Sequence, residues 1–218
     1  MSDRIRLAIQ KKGRLTESCR QIFNNSGLSF DEGERELIYT VPEMPIDLLF
    51  VRDDDIPALV SQGVCDFGIV GLNVFEETKF GETDNFNAEI FAKLGISKCR
   101  LSIAVPKNVR FNTLDDLNNL KIATTYPQIV QNFLRGKGLS AQIVRLNGSV
   151  EIAPSLKLSD VIVDIVSSGA TLKENNLTEV MPILNSEAVL ISNRQISDDK
   201  RSIANNLMAR IGRALTMN

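Results

Sequence analysis

At 218 residues with 43% hydrophobic side chains, the chain is long enough for one large domain or two small lobes with cores of their own, and needs no covalent staples. Lys and Arg total 25 against 27 Asp and Glu, a net charge of −2, so no general field favours nucleic acid or an anionic membrane and any anion must be held locally. There is no histidine and no tryptophan, which excludes Ser-His-Asp and Cys-His catalysis and any His-containing metal site.

Cys19, Cys65 and Cys99 are odd in number and widely spaced, which argues against a disulfide framework or a zinc site and for a reducing cytoplasm. The first ten residues alternate charged and aliphatic side chains without a long apolar run, so neither a signal peptide nor a membrane span is expected.

Along the chain, short aliphatic runs at residues 5–9, 37–41, 47–51, 66–70, 101–105, 121–124, 142–146 and 161–166 read as strands. Helical patterns at 15–25, 54–62, 113–117, 127–137 and 198–215 lie among them. The alternation predicts an α/β fold with largely parallel sheets. Residues 78–88 lose all core periodicity and read as a surface loop. Residues 108–120 are polar and Asn-rich, a crossing into a second lobe, with the return near 178–191. In the last helix Ile203, Leu207, Ile211 and Leu215 recur at four-residue spacing as one burying stripe.

Several strand ends carry residues suited to anion chemistry. Gln10-Lys11-Lys12-Gly13-Arg14-Leu15 leaves the first strand and opens the first helix; its cations are either solvated or hold a pyrophosphate. Arg52-Asp53-Asp54-Asp55-Ile56-Pro57 follows another strand. Its aspartates and proline are explained by helix capping, whereas Arg52 has no such local role. Asp66 to Asn73 runs into a turn through Gly71, and Thr124-Thr125-Tyr126-Pro127 supplies hydroxyls that serve as caps or ligand donors. Glu151, after Asn147-Gly148-Ser149-Val150, either satisfies its own first helical turn or accepts from a ribose hydroxyl.

The most informative stretch is Asp160 to Leu172, an apolar strand that ends in Asp164-Ile165-Val166 and continues as Ser167-Ser168-Gly169-Ala170-Thr171-Leu172. Consecutive backbone N–H groups at a helix start, a glycine that lets the backbone approach, and hydroxyl donors make a phosphate cradle. The same residues can also form a simple turn and cap, with Asp160 and Asp164 as polar edge residues.

Taken together, Gln10 to Leu15, Met44-Pro45-Ile46-Asp47, Arg52 to Pro57, Asp66 to Gly71, Lys98-Cys99-Arg100-Leu101, Asn147 to Pro154 and Asp164 to Leu172 resemble the ATP phosphoribosyltransferase family over nearly the whole chain. The resemblance implies a two-lobed fold related to periplasmic binding proteins, with residues 1–104 plus 178–218 as lobe I and 105–177 as lobe II. It implies transfer of the phosphoribosyl group of phosphoribosyl pyrophosphate to N1 of ATP, the first step of histidine biosynthesis, with Mg²⁺ carried by the substrate's pyrophosphate. Lys11, Arg14 and Arg52 would be catalytic. Gly13, Gly71, Arg100, Thr124, Glu151, Asp160, Asp164, Ser167, Ser168, Gly169, Ala170, Thr171 and Leu172 would bind substrates, and Arg35 would do so from a neighbouring subunit. Family members often carry one lysine before the glycine; here Lys11 and Lys12 both precede Gly13, which leaves open the one that reaches ligand.

The resemblance also implies a homodimer or larger homo-oligomer. Long members continue into a C-terminal regulatory domain that senses histidine, and the chain ends at Asn218. It is therefore expected to be either a short form that works with a partner resembling histidyl-tRNA synthetase or, on its motif wording, a long form cut to its core. A non-catalytic two-lobed binding module and a silent regulatory relative are the competing readings, disfavoured by the missing export signal and by the intact strand-end motifs.

Overall fold

In chain order the computed structural model, which describes residues 4–30, 37–82 and 86–216, runs β1 (Ile5–Gln10), α1 (Arg14–Asn25), β2 (Ile38–Val41), β3 (Ile46–Val51), α2 (Ile56–Ser61), β4 (Phe67–Gly71), α3 (Leu72–Gly81), β5 (Ala88–Lys93), β6 (Cys99–Pro106), β7 (Lys121–Thr124), α4 (Pro127–Lys137), β8 (Gln142–Arg145), β9 (Val161–Val166), α5 (Ala170–Glu174), β10 (Leu177–Ser186), β11 (Ala188–Asn193) and α6 (Asp198–Thr216). Short 3₁₀ turns lie at Asp53–Asp55, Leu114–Leu117 and Val150–Ile152. Two compact units result, one from Met1–Phe75, Glu82–Ser97 and Glu187–Asn218, the other from Glu76–Gly81 and Lys98–Ser186.

The sheet of the first unit has the order β2-β3-β1-β4-β11-β5. β1 is parallel to both β3 and β4, β2 pairs antiparallel with β3, and β11 pairs antiparallel with both β4 and β5. Ile5, Leu7, Ala8 and Ile9 are fully buried, as a strand covered on both faces requires. On one face Cys19, Ile22 and Phe23 of α1 and Ala204, Leu207 and Ile211 of α6 join Leu7, Ile9, Leu48 and Phe67 in one core. The stripe on α6 runs through Ala204, Leu207, Ile211 and Ala214, not through Leu215, which is 43% exposed. The larger aliphatic residue misled the periodicity, because alanine packs there as well. Cys19 and Cys65 are buried thiols, pushed up by desolvation to about 12 and about 11, and so chemically inert at neutral pH.

The second sheet has the order β10-β6-β9-β7-β8. β7 is parallel to β8 and β9, and β6 runs antiparallel to β9 and β10. Val161 and Val163 of β9 enter a core with Leu101, Ile103, Ile122, Ile129 and Leu134. Ile162 and Val166 face the other way, toward Ala104, Ala123, Val150, Ala153 and Leu172.

The parallel pairing expected from the α/β alternation is thus confined to β3-β1-β4 and β9-β7-β8; both sheets are mixed. The loop expected at 78–88 is helix as far as Gly81 and strand from Ala88, with residues 83–85 outside the described set. α3 escaped because it buries consecutive residues, Asn73, Val74 and Phe75, in place of a spaced stripe.

Gly68 marks where α2 lies closest to the sheet: a Cβ there would collide with Ile56 Cγ2 and come within 3.1 Å of Val60 Cγ2. Gly68→Ala should therefore destabilise the fold by about 1–3 kcal/mol through overpacking, read as a lower midpoint in urea with an unchanged slope.

Candidate active site

In the first unit the parallel register places three strand ends along one edge of the sheet. Gln10 lies beside Val51, Lys11 N–H donates to Val51 O at 2.8 Å, and β4 ends at Gly71 on the other side of β1. Thr16 closes the turn beyond β1, its buried hydroxyl donating to Gln10 O at 2.7 Å, so that Lys11, Lys12, Gly13 and Arg14 project from a tied loop. Arg52, whose side chain is 80% exposed, touches Asp54 at 3.5 Å, a contact worth little in water. These cations sit where ligands bind in open α/β sheets, at the carboxyl ends of the strands.

The opposite edge is already neutralised. A recess of about 980 Å³ opens there, lined by Arg4, Arg6, Asp66, Asn193 and Lys200 among others. Asp66 accepts from Arg6 N–H at 2.9 Å and from Lys200 Nζ at 2.7 Å, and Arg4 pairs with Asp47 at 2.9 Å. Asn193 is likewise spent, donating to Val60 O and Ser61 O.

In the second unit β9 ends in the loop Ser167-Ser168-Gly169, and α5 follows. Gly169 has φ 81°, a left-handed conformation that glycine alone adopts without strain, and it turns the chain so that Ala170 N–H approaches Ser168 Oγ at 3.4 Å. Ser167, Ser168, Ala170 and Thr171 are exposed, while Leu172 anchors the loop in the core. Asp164 lies on the same face of β9 as Ile162 and Val166, facing the 3₁₀ turn that carries Glu151. Desolvation raises its carboxyl, a hydrogen bond from Ile165 N–H at 2.8 Å offsets part of that, and the charge of Glu151 adds to the rise. Ser149, just before this turn, is held at φ 50°, an uncommon backbone state for a serine.

The other helix start of this unit is occupied from within. Glu77 of α3 accepts from Gln128 N–H at 3.0 Å and from Ile129 N–H at 2.9 Å, so its carboxylate already fills the anion position at α4. Burial raises the Glu77 carboxyl, opposed by those two bonds and by Arg145. Thr124 is fully buried and its hydroxyl accepts from Tyr126 N–H at 3.0 Å, a turn cap rather than a group open to ligand.

The family model described as ATP phosphoribosyltransferase (HisG) matches residues 52–213. The ATP phosphoribosyltransferase of Bacteroides thetaiotaomicron is 45% identical over 97% of this chain and 73% of its own length. That of Cytophaga hutchinsonii is 44% identical over 97% and 72%. The chain belongs to the ATP phosphoribosyltransferase family. Its fold is similar to a chain of the ATP phosphoribosyl transferase (HisG:HisZ) complex from Thermotoga maritima, at TM-score 0.80 and 28% identity over 98% of this chain and 100% of that one. The periplasmic aliphatic sulphonate binding protein SsuA of Escherichia coli shares the fold at TM-score 0.63 and 14% identity, over 98% of this chain and 69% of that one.

Of the residues expected to be catalytic or to bind substrates in an ATP phosphoribosyltransferase, the structure brings together Lys11, Gly13, Arg14, Arg52 and Gly71 on one edge. It brings Glu151, Asp164 and Ser167 to Leu172 together on one face of the second unit. Asp160 stands apart, at the start of β9, where its carboxylate accepts from Lys121 N–H at 2.7 Å and ties β9 to β7. Arg100 is held by Glu179 through two contacts of 2.5 Å. Arg35 lies outside the described residues.

Because the fold penalises the charge of Asp164, Asp164→Asn should raise the thermal midpoint near neutral pH by about 1–3 °C. The wild type gains the same stability as pH falls through the raised folded-state value, so the difference between the two proteins should vanish in acid. Melting curves across that pH range read it.

Proposed function

We propose that this chain joins ATP to phosphoribosyl pyrophosphate with the ribose 5′-phosphate on Ser167 to Thr171, the ribose hydroxyls on Asp164 and Glu151, and the pyrophosphate and ATP near Lys11, Gly13, Arg14, Arg52 and Gly71. The observation that carries this reading is the exposed loop turned by left-handed Gly169, with a desolvated acid three residues upstream of Ser167 on the same strand. At about 3.3 Å per residue, Asp164 stands roughly 10 Å from the loop, which suits ribose hydroxyls when the 5′-phosphate sits on the loop.

Adenine N1 attacks the anomeric carbon with its own lone pair, the bond from that carbon to the pyrophosphate oxygen breaks with inversion, and pyrophosphate leaves with the bonding pair. No strong general base is needed, in keeping with a chain that has no histidine. What remains is alignment of two polyanions and stabilisation of charge on the leaving group, work suited to Arg52, Lys11 and Arg14.

Among the described residues no three Cys, Asp or Glu side chains converge as a metal cage. Glu151 and Asp164, close enough for the charge of one to raise the other's carboxyl, are the acids that would meet an Mg²⁺ ion carried in by the substrate's diphosphate. When bound, the ion neutralises charge on the diphosphate. The first unit acts as lobe I and the second as lobe II, which thereby takes residues 76–81, 98–104 and 178–186 that were expected in lobe I, in a cytoplasmic homo-oligomer. The similarity to the Thermotoga maritima complex supports, beyond that, a HisZ-like partner. Among the described residues no helix is long and apolar enough to cross a membrane.

Mixing the chain with ATP, phosphoribosyl pyrophosphate and Mg²⁺, with and without a HisZ-like subunit, should give phosphoribosyl-ATP and pyrophosphate. Arg52→Ala should lower turnover by about 100-fold while leaving substrate affinity within a few-fold. Gly169→Val should weaken phosphoribosyl pyrophosphate binding by at least about 10-fold, because a branched side chain cannot keep the left-handed turn. Wild-type kinetics in both variants would sink these assignments.

A further inference from the structure

Arg100 belongs to a motif whose family resemblance suggested a substrate contact, yet its guanidinium is committed within the protein. Nε and Nη2 each lie 2.5 Å from a carboxylate oxygen of Glu179, a bidentate fork. Ser102 Oγ donates to the same carboxylate at 2.7 Å. The remaining arm, Nη1, donates to Ser167 O at 3.3 Å.

The sheet explains the arrangement. In the β6/β9 register Arg100 faces Val166 and Ser102 faces Asp164, so the arginine stands beside the last residue before the loop. In the β6/β10 register Glu179 faces Ala104, four residues along β6 from Arg100. The two long side chains close that gap over Ser102, on the face that also carries Asp164. A bulge follows Glu179, between Glu179 and Met181. The fork holds the Glu179 carboxyl below the usual range and raises the Arg100 guanidinium.

We propose that Glu179 and Arg100 are positioning residues for the phosphate loop: Glu179 on β10 locks the Arg100 fork, and Arg100 fixes the carbonyl of Ser167 from which the loop departs. This rests on the assignment of Ser167 to Thr171 to the 5′-phosphate. The carbonyl of Ser167 sets the plane of the next peptide, so its orientation governs where Ser168 N–H and the turn at Gly169 point. Ser102 completes the lock by donating to Glu179 Oε1, the oxygen that Arg100 Nε also holds.

The sign of one substitution separates this role from direct ligation. Glu179→Ala removes a negative charge near the bound phosphate and frees Arg100. Were Arg100 a ligand, phosphoribosyl pyrophosphate should bind more tightly. If Arg100 positions the loop, that affinity falls by about 10-fold while ATP affinity stays within about two-fold. Glu179→Gln keeps one acceptor for the fork, so it should lose only about two- to three-fold, and it stands in should the alanine variant not fold.

Titration calorimetry of phosphoribosyl pyrophosphate with Mg²⁺, and of ATP, on the full chain reads all of this, with Gly169→Val alongside. Selective loss of phosphoribosyl pyrophosphate affinity in Glu179→Ala and its partial recovery in Glu179→Gln support the proposal. Unchanged or tighter binding, or equal loss for both ligands, overturns it. If Gly169→Val binds phosphoribosyl pyrophosphate like the wild type, the loop assignment itself fails. If Gly169→Val loses affinity and Glu179→Ala does not, only the positioning role fails.

Discussion

Burial of the central strands on both faces decides where this chain can keep its chemistry. β1 and β9 each have neighbours on both sides and cores above and below, and Ile5, Leu7, Ile9, Val161, Ile162 and Val163 have essentially no exposed surface. An ionised side chain in those stretches would lose its hydration without a partner, a cost of several kcal/mol. Polar groups are therefore expelled to the strand ends. Asp164 is the partial exception, standing two residues before β9 ends, and its raised carboxyl records what the fold gives up to keep it there.

The two ends of each sheet are treated differently. At the starting edges, acids close on backbone and side-chain donors: Asp66 on Arg6 N–H and Lys200, Asp47 on Arg4, Asp160 on Lys121 N–H. At the finishing edge of the first sheet Lys12, Arg14 and Arg52 are exposed and Lys11 is half-buried, and at that of the second the hydroxyl-rich loop is exposed. A chain of net charge −2 thus presents its cations and donors where a polyanion can reach them. Glu77 at the start of α4 sharpens the contrast, because an internal carboxylate there leaves the loop before α5 as the open anion position of the pair.

How much of this could be read from the chain follows from the range of each signal. β7, β9 and α4 have the limits expected, because apolar runs, Pro127 and Gly138 are local marks. The motifs at Gln10 to Arg14 and Ser167 to Thr171 were visible for the same reason. β10 was not, since Pro182 interrupts it and two bulges break its register, both tolerated on an edge strand. Neither was the commitment of Arg100, whose partner Glu179 lies 79 residues away and is brought near only by the pairing of β6 with β10. Glu77, 51 residues from Gln128, gave no local sign either.

The first unit is assembled from three separate stretches of chain, and β11, more than a hundred residues after β4, is inserted between β4 and β5. Its sheet cannot be completed on the ribosome until residue 193 has emerged, and α6 must follow to cover Leu190 and Phe67. Nearly all of the second unit is one continuous stretch, Lys98–Ser186, and can close while the first still waits. Until then β4 and β5 present unpaired edges, so the order of synthesis makes the earlier stretches of the first unit dependent on Glu187–Asn218 to escape aggregation.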